Sequence, residues 1–124
     1  RGADDVKVPG VAHFMQDGTK VREFSIRKSV ELFEAIAAAK KLYAEDVYTV
    51  AHQANAVMME SILGHLHLPK ERHIMNVREQ GNIAAAGMPS AVAQRLDSLK
   101  KGDQIAYAVL GAGLAWGGGL MEVQ

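Results

Sequence analysis

Val47 to Ala51 (VYTVA) is a β-branched and aromatic run of strand length, and it gives way within four residues to a helical stripe. Asn55 is placed to cap that helix. Met59, Ile62, Leu63 and Leu66 fall at i, i+3, i+4 and i+7, and Pro69 stops it. A strand that hands over to an amphipathic helix buries one side of each against the other, so this unit belongs to an α/β layer architecture. The alternation recurs along the chain. Val30, Phe33, Ile36 and Ala37 predict an earlier helix with an alanine-rich end. Arg72–Val77 reads as a short strand, Gln80-Gly81-Asn82 as a turn, and Ala84–Leu99 as a helix with Met88, Val92, Leu96 and Leu99 on one face. Pro89 must kink that helix or lie in its first turn.

Two closing strands follow. Lys101-Gly102-Asp103 is a turn, Ile105–Leu110 a strand, Gly111-Ala112-Gly113 a break, and Leu114–Val123 a last strand interrupted at Gly117-Gly118-Gly119. Upstream, Val11–Met15 reads as a strand closed by the turn dipeptide Asp17-Gly18, with Thr19 as the N-cap of what comes next. Residues 1–10 have no period and read as a linker or truncated start, leaving 11–124 as one domain. The chain opens at Arg1 with no signal-like segment and reads as an internal piece of something longer, with cytoplasmic residence as the expectation.

Composition removes several function classes. Of 124 residues 48% are hydrophobic, enough for a core without staples. Fourteen basic residues balance fourteen acidic ones, which argues against a nucleic-acid partner. No apolar run reaches the roughly 18 residues that span a bilayer, so no membrane partner is expected. There is no cysteine, so this chain carries no disulfide, no thiolate metal ligand and no cysteine nucleophile.

Chemistry is left to element ends: His52 after a strand, Asn82 before a helix, and the glycine-rich turn at 111–113. Ligands of open α/β sheets bind at strand carboxyl ends. Taken singly, a strand-end histidine, a Gly-Asn turn and a Gly-x-Gly connection are ordinary structural features. His65, His67 and His73 lack carboxylate company at ligand spacing and are assigned to the surface, so no metal is expected; His13 is unassigned.

Taken together, YTVAHQAN at 48–55, QGNIAAAGMP at 80–89 and LGAGLAWG at 110–117 resemble the C-terminal part of 3-oxoacyl-acyl-carrier-protein synthase III, a ketoacyl synthase of the thiolase superfamily. Leu68-Pro69-Lys70-Glu71-Arg72 and Lys101-Gly102-Asp103 extend the resemblance over roughly residues 13–123. It implies the C-terminal half of a thiolase-like αβαβα fold, a mixed sheet covered by helices, in an enzyme of fatty-acid or polyketide biosynthesis. The missing N-terminal half would supply a catalytic cysteine, and the full-length form would be a homodimer.

The implied reaction is a decarboxylative Claisen condensation of an acyl thioester with a malonyl thioester. His52 and Asn82 match the family's histidine and asparagine, which stand side by side and donate to the enolate oxygen left by decarboxylation. Ala112 matches the backbone donor of the second oxyanion hole. Asn55, Gly18, Met15 and Leu110 match the lining of the pantetheine tunnel and substrate site. Acyl-coenzyme A and a malonyl thioester on acyl carrier protein enter as substrates carrying phosphopantetheine, and no resident cofactor is implied.

Several positions depart from the family pattern. Val57 replaces an arginine at the carrier-docking mouth, and Ile83-Ala84-Ala85-Ala86-Gly87 loses every hydroxyl of the usual Thr-Ser-Ala-Ala-Ser. Leu110 replaces phenylalanine, Ala115 threonine, and Arg22 a tunnel aromatic. Two other readings remain open. One is an acyltransferase to a hydroxyl or amine with His52 as general base; the other is a non-catalytic partner subunit or fragment.

Overall fold

The computed structural model describes residues 17–124. The expected linker at 1–10, the strand at Val11–Met15, His13 and Met15 lie outside the described residues. Helix α1 (Gly18–Lys40) is capped by Asp17, whose side chain accepts from the Lys20 N–H at 3.1 Å. It thus begins twelve residues before the stripe at Val30, and neither the Asp17-Gly18 turn nor a Thr19 cap forms. The physical reason is that the early turns bury Ser25 and Ser29, small polar residues that leave no apolar period to read.

Strand β1 (Val47–Ala51) runs parallel to β2 (Gln104–Gly111), and β2 pairs antiparallel with β3 (Ala115–Glu122), giving the order β1-β2-β3. Between β1 and β2 lie helices α2 (Ala56–Leu66), α3 (Val77–Gln80) and α4 (Gly87–Arg95). Alternate residues of β1 face opposite layers, as the pleat requires. Val47 and Ala51 join Phe33, Met59 and Ile62 beneath α1 and α2. Val50 joins Ile74, Ala91 and Ile105 beneath α4.

The glycine run at 117–119 does not interrupt β3. It pairs in register with Val109, Ala108 and Tyr107. A Cβ on Gly119 would stand 2.8 Å from the Tyr107 hydroxyl oxygen, so the ring occupies the space that a side chain would take. Leu114 belongs to the preceding turn rather than to the strand.

Two further expectations are corrected. Arg72–Val77 is not a strand: a 3₁₀ turn at Lys70–Arg72 leads to a single parallel bridge between His73 and Thr49, then to α3. The Asn76 and Val77 N–H groups go to the Gln53 side chain instead of to a ladder. Nor is Ala84–Leu99 one helix. It is a 3₁₀ turn (Ala84–Ala86), α4, and a second 3₁₀ turn (Leu96–Ser98). Pro89 sits in the first turn of α4, where its missing N–H is not needed. The change to three residues per turn swings Leu96 out of the stripe and leaves it 51% exposed, while Met88, Val92 and Leu99 stay packed.

Candidate active site

Because β1 and β2 are parallel, their carboxyl ends meet at one end of the sheet, and His52 leaves β1 there. Its N–H donates to the Ala108 carbonyl at 2.8 Å, and its carbonyl accepts from Ala54 at 2.8 Å. The imidazole is half-buried, and burial pushes its pKa down, so the ring is neutral at neutral pH and keeps one N–H to donate. Three residues beyond Ala108, β2 reaches the glycine-rich turn.

In that turn Gly113 (φ 74°) and Leu114 (φ 50°) take the left-handed conformation. Ala112 does not, so alanine presents its N–H there without backbone strain. Leu110 faces Trp116 across the hairpin register. Trp116 meets Phe24 of α1 edge-on at 5.5 Å, with the Lys28 ammonium 4.9 Å from its ring centre. These contacts tie the turn to the first half of α1.

Asn82 follows α3. Gly81 closes the helix at φ 70°, its N–H donating to Val77. The Asn82 Oδ1 then accepts from the Ala84 N–H at 3.0 Å. With its oxygen so engaged, the carboxamide keeps its Nδ2 hydrogens for another acceptor. Residues 82–86 are exposed, and Gly87 then returns to the core: a Cβ there would lie 2.8 Å from the Gln53 Cβ. The segment bearing Asn82 is therefore moored against the residue next to His52.

The remaining expected site residues are distributed as follows. Gly18 opens α1 beside a cavity of about 610 Å³ lined by Asp17, Lys20, Val21, Phe24 and Leu114. Asn55 is the N-cap of α2, its Oδ1 accepting from Met58 at 2.8 Å. Val57, in the first turn of α2, is 59% exposed. His65 and His67 are exposed, but His73 is not a surface residue. It is 8% exposed, with Nδ1 2.8 Å from the Thr49 hydroxyl, and burial pushes its pKa down to about 4. No helix among the described residues is long and apolar enough to cross a membrane.

Sequence reasoning missed Gln53, which is wholly buried with its carboxamide bonded to the Ala51 carbonyl and to the Asn76 and Val77 N–H groups. It also missed Asn76, whose Nδ2 donates to Ser90 and Gln94 of α4. The one legible signal was a glutamine lodged between a strand and a cap, where solvent is already excluded.

Residues 37–123 match the family described as 3-oxoacyl-[acyl-carrier-protein (ACP)] synthase III C terminal. The chain belongs to this synthase III family. Over 105 residues it is 40% identical to the β-ketoacyl-[acyl-carrier-protein] synthase III of Microcystis aeruginosa, covering 82% of this chain and 32% of that protein. It is 34% identical over 116 residues to the enzyme of the same name from Coxiella burnetii, covering 91% and 36%. The crystal structure of 3-oxoacyl-(acyl carrier protein) synthase III from Pseudomonas aeruginosa superposes with a TM-score of 0.81 at 30% identity, covering 89% of this chain and 35% of that one. The chain thus spans about a third of the length of these synthase III relatives, and its layers are those of their thiolase-like fold.

Proposed function

We propose that this chain is the C-terminal catalytic part of an enzyme performing decarboxylative Claisen condensation, with His52 and Asn82 as the paired donors. The observation that carries the reading is the orientation of Asn82: its oxygen accepts from the Ala84 N–H, which leaves the Nδ2 hydrogens for another acceptor. An amide turned this way stabilises a developing oxyanion and cannot act as an acceptor toward it. His52, neutral by burial, is the matching donor.

In the proposed sequence an acyl group is first carried as a thioester on a cysteine from a part of the protein outside this chain, which has none itself. The malonyl thioester then loses carbon dioxide. The electrons of the broken C–C bond pass into an enolate, whose oxygen takes hydrogen bonds from His52 and Asn82. The enolate carbon attacks the acyl-cysteine carbonyl, and the oxyanion of the tetrahedral adduct accepts from the Ala112 N–H. Collapse breaks the C–S bond, returns the thiolate and leaves a 3-oxoacyl thioester. Alone, the chain would take no acyl group from acyl-coenzyme A.

As further parts of this reading, the whole protein works as a cytoplasmic homodimer on acyl-coenzyme A and a malonyl thioester. Its grip on acyl carrier protein is weakened, because Val57 offers no charge at the docking mouth. The test separates two half-reactions in the longer protein. Asn82→Ala should slow malonyl decarboxylation about 10²–10³-fold, the loss typical of one oxyanion donor, while cysteine loading measured by intact mass stays near wild type. Decarboxylation within about threefold of wild type, far short of that loss, would exclude the condensation reading and favour simple acyl transfer with His52 as base.

A further inference from the structure

We propose that Gln53 is a positioning residue that sets the separation of His52 and Asn82, an inference that rests on the roles proposed above for those two. Gln53 follows His52 directly, and its side chain turns into the protein, where it is 0% exposed. Nε2 donates to the Ala51 carbonyl at 2.9 Å and reaches that of Ile74 at 3.5 Å. Oε1 accepts from the Asn76 N–H at 3.0 Å and the Val77 N–H at 3.2 Å.

Those last two groups are the leading N–H donors of α3, the helix that ends one residue before the Gly81-Asn82 pair. Helix openings need an acceptor, usually the side chain of the N-cap residue. Asn76 stands at that place and does not serve, since its amide is turned toward Ser90 and Gln94. Gln53 supplies the cap from the neighbouring strand end. On the other side of Asn82, Gly87 closes against the Gln53 Cβ. Both ends of the segment carrying Asn82 therefore rest on one side chain, and that side chain is peptide-linked to His52.

A displacement of either end moves Asn82 relative to His52 while leaving both donors chemically intact. Errors of about 1 Å in such placements can cost about a hundredfold in rate. The test uses the longer protein and a double-mutant cycle read on malonyl decarboxylation and cysteine loading. Gln53→Met, of similar length and without the hydrogen bonds, should lower decarboxylation kcat about tenfold to a hundredfold, with KM and loading little changed. On an Asn82→Ala background the same change should add less than about threefold, because residues acting through one another are not additive. Gln53→Glu, which keeps the acceptor for Asn76 and Val77, should restore part of the rate.

Equal losses from Gln53→Met with and without Asn82 would overturn the proposal, as would full decarboxylation in Gln53→Met. If Gln53→Met does not fold, Gly87→Ala decides, since its Cβ pushes on the same joint; it should give the same split, and an unchanged rate overturns the proposal. An Asn82→Ala variant with undiminished decarboxylation points instead to failure of the functional reading itself. The two failures are thus told apart by the single variant.

Discussion

The two proposed donors stand on unequal supports. His52 leaves the largely buried strand β1, is half-buried, and has its backbone N–H and carbonyl both engaged. Asn82 sits in a stretch exposed from residue 82 to 86, whose flanks at Asn76–Val77 and Gly87 rest on Gln53. The histidine half of the site is a product of this chain's own core. The asparagine half depends on the joint at Gln53. On the proposed reading one donor rests on the core and the other on an exposed stretch, and mutations on the two sides should differ in kind.

The largest contrast is in stability. Ile62→Ala removes a fully buried side chain from the layer beneath β1 and should cost about 2–5 kcal/mol. Ile83→Ala, beside Asn82 and 39% exposed, should fall within about 0.5 kcal/mol of wild type. Urea unfolding of the chain compares them directly, and equal costs would break the distinction.

An effect of about 3 kcal/mol is expected from pH, again on the pinned side. The His73 pKa lies near 4 in the fold, against an ordinary value of 6.5. Between those values the unfolded chain binds a proton that the fold refuses. Stability therefore falls as pH drops from about 6.5 to 4 and levels off below that. Burial of His52 acts in the same direction. Unfolding free energies across the window should slope accordingly, and His73→Gln should flatten most of the slope; a slope kept in that variant would assign it to other groups.

Smaller effects sharpen the comparison. Asn55→Ala deletes the α2 cap and should cost about 1 kcal/mol in thermal or urea unfolding. A neutral result would mean that water replaces the cap. Ala84→Gly should gain up to about 1 kcal/mol, since Ala84 sits at φ 54° on the exposed side. A loss there would show that the strain is not stored at that residue.

The same division governed what could be read from residues alone. β1, the Asn55 cap and α2 were legible because period, cap and stop all agree between Val47 and Pro69. The first half of α1 was hidden because its buried residues are serines. The segment after Arg72 was mistaken for a strand because Ile74, Met75 and Val77 look like one, while a glutamine two dozen residues away takes the Asn76 and Val77 N–H groups. His73 was misplaced for a similar reason: nothing local announces a hydrogen bond to Thr49. His52, Asn82 and the turn at 111–113 stand as a candidate set only through the resemblance that their motifs carry together, and the side chain connecting two of them was not legible.

The most direct measurement is a crystal structure of the longer protein with a non-decarboxylating malonyl-thioester analogue bound. One imidazole nitrogen of His52 and the Nδ2 of Asn82 should both lie within hydrogen-bonding distance, about 3 Å, of the same thioester oxygen, with the Asn82 Oδ1 still on the Ala84 N–H. Donors reaching different groups, or an Asn82 amide flipped so that its oxygen faces the analogue, would contradict the proposed pairing.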